Sequence, residues 1–304
     1  MLGTTPEQAN NFCVGVLHVR DYSLDEYTTE RHTIKQLAMA ACCPVGALPY
    51  LESEYSGKGQ TTTVGESDGG ICEIYEAPIT GEPPTSAILM APDVWGWNGG
   101  RVRAVADGLA EQGYRVIVGK FLVTEGRAGT DGDALEPDAS FDLNWIKTFP
   151  WEVQKPKVNA CLAYLHASGA TKIGVMGFCC GGHPACWASK ELSSTYPIAC
   201  GVVLHPSMQL EAFAFGGDLG ALLSGVQCPF LLCPAGNDLA MWGEDTDNAT
   251  KLKESKCGGE CVWKAYPEMS HGWSVRGDLS VENVKRDVEG VMVESIAFFN
   301  KYLK

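Results

Sequence analysis

The stretch Lys172-Ile173-Gly174-Val175-Met176-Gly177-Phe178-Cys179-Cys180-Gly181-Gly182-His183 constrains this chain more than any other. An apolar, β-compatible run ends at Gly177, and Cys179 sits two residues later. The paired glycines Gly181 and Gly182 begin two residues beyond that. The spacing Gly-x-Cys-x-Gly predicts a sharp strand-to-helix turn with a thiol at its apex, the geometry of a nucleophile elbow. Small residues two before and two after the apex let strand and helix backbones approach closely. The opening helical turn aims free N–H groups and its positive end at the apex, favouring a thiolate and a developing oxyanion alike. A buried core cysteine in an ordinary strand–turn–helix unit is the alternative reading of the same residues. Its partners elsewhere in the chain must decide.

Composition narrows the classes. A length of 304 residues admits two domains or one large α/β domain. A net charge of −14 argues against nucleic acid or an anionic membrane as the main partner and leaves a small-molecule substrate. The thirteen cysteines are odd in number and lack paired C-x-x-C spacing, so neither a zinc site nor a disulfide framework is expected. A reducing, cytoplasmic location follows from that usage. No run reaches the roughly 18 apolar residues of a membrane span, and Met1 to Asn11 lacks the apolar region of a signal peptide.

Residues 1–41 are polar and mixed, with a helical pattern across Thr28 to Ala41, and read as an extension outside the domain formed by 42–304. The stretch 45–70, rich in Gly, Ser and Thr, reads as loop, and Ile71 to Glu76 as an early, partly exposed strand. Ala87 to Ala91 is a continuous apolar run, the mark of a strand buried on both faces. A loop dense in Trp and Gly follows, from Pro92 to Gly100. Val102, Val105 and Leu109 then recur with helical period up to Gly113, and Tyr114 to Val118 is a second buried strand. This β-loop-α-β order predicts a parallel sheet with crossover helices. Residues 121–150 read as a long loop at a strand's carboxyl end, a place for a lid or pocket wall. A helix with Val158, Cys161, Leu162 and Leu165 on one face precedes the elbow strand. Strands are expected at Cys200–Leu204, Pro229–Cys233 and Val262–Tyr266, and a last amphipathic helix carries Val284, Val288, Val291, Ile296 and Phe299.

Cys179 needs a base, and the base needs an orienting acid. In the α/β-hydrolase fold these follow the nucleophile in the order acid, histidine, each on a loop after a strand. Gly236-Asn237-Asp238 follows one expected strand and Ser270-His271-Gly272-Trp273 the next. Asp238 is therefore the candidate acid and His271 the candidate base. Taken alone Asp238 is a turn former; in this order with the elbow it completes a triad. A histidine with the ordinary pKa near ~6.5 predicts activity that falls on acidification through that region. His183 and His205 could border the pocket but read mainly as structural, and the histidines form no metal-ligand set.

Gly177-Phe178-Cys179-Cys180-Gly181-Gly182, Gly236-Asn237-Asp238, His271-Gly272-Trp273 and Asp93-Val94-Trp95-Gly96-Trp97 together resemble the dienelactone hydrolase family, its eukaryotic carboxymethylenebutenolidase-like branch above all. The resemblance implies an α/β-hydrolase fold, a mostly parallel sheet with helices on both faces. It also implies a Cys–His–Asp triad acting on lactones or activated esters with no cofactor and no metal. It places an acidic residue that modulates the resting thiol at Asp93, and the oxyanion hole at the backbone N–H groups of Val94 and Cys180. Trp95, Trp97 and Trp273 are expected as pocket walls, with packing in the core the alternative, and Arg276 either holds a substrate carboxylate or pairs with Asp278 or Glu282 on the surface. The arginine that follows the catalytic histidine in bacterial members is displaced here to Arg276, and Gly119-Lys120 stands where the family usually has Pro-Asp. A thioesterase or carboxylesterase with the same triad, and a binding or redox-sensing protein without turnover, are the rival functions.

Overall fold

A computed structural model describes residues 43–66, 70–123 and 143–304. The extension 1–41 and the helix expected across Thr28 to Ala41 lie outside the described residues. Among those described, eight strands form one sheet in the order β1-β2-β4-β3-β5-β6-β7-β8. They are β1 Gln60–Val64, β2 Cys72–Glu76, β3 Ser86–Ala91, β4 Arg115–Gly119, β5 Lys172–Phe178, β6 Ile198–Leu204, β7 Phe230–Cys233 and β8 Val262–Trp263. The β1/β2 and β2/β4 pairs are antiparallel and every pair from β4 onward is parallel.

The continuous apolar runs form the interior of this sheet because each strand is buried on both faces. Along β3, Ala87, Leu89 and Ala91 join one core cluster while Ile88 and Met90 join the other. The same alternation runs through Phe230 and Leu232 against Leu231 and Cys233 in β7. Helices cover both faces, as expected. The helix α1, Val102–Glu111, and the last helix, Glu282–Leu303, pack on one side through Val105, Leu109, Val291 and Phe299. On the other side lie the helix Trp151–Ala167 and the elbow helix Gly182–Trp187, through Val158, Leu162, Leu165 and Ala185. Gly113 and Gly169 take positive φ just past their helices, ending each one.

Three differences from the sequence reading have local causes. Strand β1 lies within the stretch read as loop: Gln60-Thr61-Thr62-Thr63 is a polar edge strand, with Val64 its buried member. The helix before the elbow begins at Trp151, ahead of Pro156, because Trp151 is buried, stacks on Trp187 at 5.7 Å and donates to Glu191 at 2.8 Å. Strand β8 ends at Trp263, and the chain rejoins the sheet only through the bridge between Ala235 and Tyr266.

The elbow is built by close backbone approach. A Cβ on Gly177 would stand 2.4 Å from the Gly181 carbonyl oxygen, and one on Gly181 would stand 2.1 Å from the Ala91 carbonyl oxygen. Neither obstacle is a flexible side chain, so neither position accepts alanine without moving backbone. Gly290 is the contrast, a helical glycine with open space where a Cβ would go. Gly181→Ala is expected to destabilise by about 1–3 kcal/mol or more, and Gly290→Ala to stabilise by about 0.5–1 kcal/mol. Urea unfolding midpoints of the two variants check both signs.

Candidate active site

The elbow carries Cys179 out of β5 at φ 54, a left-handed conformation rare for a residue with a side chain. The turn Cys179–Gly181 leads directly into the helix Gly182–Trp187. Cys179 is fully buried, and its sulfur reaches Ser207 Oγ at 3.5 Å. The Ser207 N–H donates to the Cys179 carbonyl at 3.1 Å, so the loop after β6 fastens the strained residue in place.

Asp238 and His271 meet as the sequence order requires. The loop after β7 closes on itself, with Asp238 Oδ2 accepting from the Ala235 N–H at 2.8 Å. That leaves Oδ1 to bond His271 Nδ1 at 2.6 Å, both side chains being buried. The neighbouring Asn237 accepts from the His271 backbone N–H at 2.6 Å and donates to the Val45 carbonyl at 3.1 Å. One Asn-Asp pair thus fixes both the backbone and the ring of the histidine. An imidazole nitrogen of His271, the Cys179 sulfur and the Cys43 sulfur all lie within 4.8 Å of one another. Burial pushes the His271 pKa down, but the bonds to Asp238 and Cys43 and their charges outweigh it and raise it to about 9.

Two further residues shape the base. The His205 ring packs edge-on to His271 at 4.9 Å and bonds Ser274 Oγ at 2.9 Å. Burial, then the nearby His271, drives the His205 pKa well below its ordinary value, so it stays neutral beside the base. His205 also has a positive φ of 41. Its placement at a strand end was legible in the sequence; its contact with His271 was not.

The loop after β3 supplies the opposite wall. Val94, Trp95, Cys179, Cys180, Leu122, Trp145, Phe149 and Leu210 share one buried cluster. Because Gly181 abuts the Ala91 and Pro92 carbonyls, the backbone of this loop runs beside the elbow turn. Asp93 Oδ1 accepts from the Trp95 N–H at 2.9 Å, and its other oxygen is ion-paired with Arg276. The arginine expected to hold a substrate carboxylate is thus buried and engaged by the acid expected near the thiol, and its Nε donates to the Leu48 carbonyl at 3.2 Å. Trp95 packs in the cluster that holds Cys179. Trp97 and Trp273 pack in the core cluster on the side of the last helix, Trp273 against Tyr266 at 4.5 Å.

The segment from Cys43 to Leu51 lies across the base. The Leu48 N–H donates to the His271 carbonyl at 2.9 Å, and the Gly100 N–H donates to the Leu51 carbonyl at 2.7 Å. Cys43 is half-buried, with its sulfur 3.7 Å from that of Cys179. Beside Cys180 and Gly181 lies a small recess, with free room for about one water molecule, walled by Phe121, Leu122, Ile146, Leu210 and Phe215. His183 borders it, held by Glu211 at 2.7 Å. Arg276→Met leaves Asp93 buried without its cation and is expected to destabilise the fold by about 3–5 kcal/mol. The double variant Asp93→Leu/Arg276→Met is expected to recover most of that loss in the same denaturation assay.

The sequence model of the dienelactone hydrolase family matches residues 76–303. The carboxymethylenebutenolidase homolog of Homo sapiens is 25% identical over 262 residues, 82% of this chain and 94% of that protein. The hydrolase tropI of Talaromyces stipitatus is 23% identical over 244 residues, 76% of this chain and 87% of that protein. A putative dienelactone hydrolase from Klebsiella pneumoniae shares the fold with a TM-score of 0.61 at 17% identity, covering 80% of this chain and 98% of its own. With the elbow, the loop order and the parallel sheet, the match over most of its length makes this chain a member of the dienelactone hydrolase family, a hydrolase of the α/β-hydrolase fold.

Proposed function

We propose that this chain hydrolyses lactones or small activated esters by acyl transfer to Cys179. The observation that carries the reading is a strained, buried thiol beside an imidazole whose far nitrogen is held by Asp238 at 2.6 Å. The thiol proton passes to His271 Nε2, and the thiolate attacks the carbonyl carbon. The oxygen that turns negative is met by the N–H groups of Val94 and Cys180, worth about 3–4 kcal/mol per donor. The C–O bond breaks, and the departing alkoxide takes the proton from His271; in a lactone it remains tethered to the acyl group. Water then gives a proton to His271 and attacks the thioester, and the thiolate leaves. Asp238 holds the imidazole tautomer and stabilises its charged form throughout.

The pocket beside Cys180 supports an apolar acyl group. Its walls are mainly hydrocarbon, and the nearby guanidinium of Arg276 is engaged by Asp93. Trp95 closes the side toward Tyr50, at 5.5 Å between rings. Uncharged acyl groups fit such a surface better than carboxylates.

Four outcomes follow from this reading. Cys179→Ala is expected to abolish the burst and the steady release of p-nitrophenol from p-nitrophenyl acetate. His271→Ala should lose several orders of magnitude, and Asp238→Asn should remain measurable. His271 loses its proton as pH rises through its pKa of about 9, a value that Asp238 and Cys43 raise against the effect of burial. A pH profile of kcat/KM should therefore hold through neutrality and fall near that value, with the alkaline limb moved to lower pH in Asp238→Asn. A neutral lactone should show a KM about tenfold or more below that of its carboxylated analogue, about 1.4 kcal/mol. Equal KM values would return the carboxylate to the pocket.

A further inference from the structure

We propose that Cys43, Cys179 and His271 form a three-ligand site for a soft divalent cation of the zinc class, which silences the nucleophile when bound. Two thiols and one imidazole are the donors such a cation prefers, and three protein ligands leave a fourth position for water. The ligand atoms already converge, all three within 4.8 Å of one another. Their spacing matches the cation. Two sulfurs on a tetrahedral centre with metal–sulfur bonds of about 2.3 Å stand about 3.8 Å apart, and the Cys43 and Cys179 sulfurs stand 3.7 Å apart. A disulfide would need them to close to about 2.05 Å.

The surroundings of the imidazole complete the fit. Asp238 holds Nδ1 at 2.6 Å, the carboxylate–imidazole pairing that orients a metal-binding histidine and strengthens its other nitrogen as a donor. That other nitrogen, Nε2, is buried and has no nitrogen or oxygen hydrogen-bond partner among the described residues. Its neighbours are sulfurs. Cys43 precedes the region 76–303 matched by the family's sequence model, so the third ligand comes from this chain's own N-terminal segment. That segment is held over the site by the Leu48 bond to His271 and the Asn237 bond to Val45. On binding, two metal–sulfur bonds and one metal–nitrogen bond form. The two thiol protons, with any proton on Nε2, pass to the buffer, and no electron is transferred. Binding stands apart from the hydrolase reading, whereas the silencing rests on it.

The test uses the full chain, reduced and free of oxygen, titrated with Co²⁺. Thiolate-to-cobalt charge transfer and the strong visible bands of tetrahedral Co²⁺ are expected at one equivalent, and Zn²⁺ should displace them. Cys43→Ser should lose those bands, weaken Zn²⁺ binding at least tenfold by calorimetry and raise the Zn²⁺ concentration needed for half-inhibition by the same factor. Its hydrolysis without metal should remain measurable, so that the inhibition can be read, with the alkaline limb of its pH profile moved to lower pH because Cys43 helps to raise the His271 pKa. If Cys43→Ser fails to fold, Cys179→Ala serves for the cobalt and calorimetric arms and should also lose the bands. Spectra of octahedral Co²⁺ only, or Zn²⁺ affinity unchanged in Cys43→Ser, would overturn the site. A Cys43–Cys179 disulfide forming in air with no cobalt bands beforehand would overturn it as well. Cobalt bands in a protein that hydrolyses nothing would keep the metal site and remove the hydrolase reading.

Discussion

The reacting end of this molecule depends on one backbone contact, the seat of Gly181 against the Ala91 and Pro92 carbonyls. With no Cβ, Gly181 lets the elbow helix start directly beneath the end of β3, where any side chain would meet oxygen at 2.1 Å. That seat lets Cys179 hold φ 54 and keeps Val94 in the buried cluster that holds Cys179 and Cys180. A left-handed residue with a side chain costs on the order of 1–3 kcal/mol and persists only where its surroundings over-determine it. Here they do so from two sides. The register pairs Ala91 with Gly177 across the sheet, and the Ser207 N–H holds the Cys179 carbonyl from the loop after β6.

Charge does the remaining fastening. The loops at the carboxyl edge come from different strands, and polar pairs join them. Asp238 and Asn237 fix the histidine loop to the loop after β7. Asp93 and Arg276 join the loop after β3 to the short helix Trp273–Arg276, just beyond His271. Arg101 adds bonds from the start of α1 to the Trp273 and Gly277 carbonyls at 3.2 and 2.8 Å. A buried charge without its partner is costly, whereas the intact pair adds little net stability. These pairs therefore act chiefly as registration: they make alternative loop arrangements expensive and leave one in which thiol, imidazole and carboxylate converge.

What was legible in the sequence is what short spacing encodes. Central strands showed as apolar runs because burial on both faces removes the polar alternation, and the elbow showed because its glycines must sit at fixed offsets from the cysteine. The order of Cys179, Asp238 and His271 followed from sheet topology. The polar strand Gln60–Val64 did not show, since an edge strand with one exposed face lacks that run. Nor did the facing of the tryptophans. Trp95, Trp97 and Trp273 look alike in Gly-rich loops, and only the path of each loop sends the first toward the thiol and the other two into the core. Arg276 had acidic neighbours at Asp278 and Glu282 in sequence, yet its partner Asp93 is supplied by a distant loop that no local spacing reveals.

The properties that suit Cys179 to the proposed nucleophilic role also make it a soft ligand, and Cys43 brings both tendencies into competition. Cys179 and His271 are fully buried, and the Cys43 segment is among the described residues that cover them. Hydrogen bonds hold that segment in place, among them Leu48 to the His271 carbonyl, Asn237 to Val45, Arg276 to Leu48 and Gly100 to Leu51. At about 0.5–1.5 kcal/mol each, their sum is a few kcal/mol, within the range of local opening in a stable fold. The packing of Leu48, Cys43 and Tyr50 against the buried clusters adds to that cost. A bridge between Cys43 and Cys179 would add to it a bond to the Cys179 sulfur, which must break before the segment moves. Occupation of one small site would therefore cover the sulfur and tie down the segment beside it.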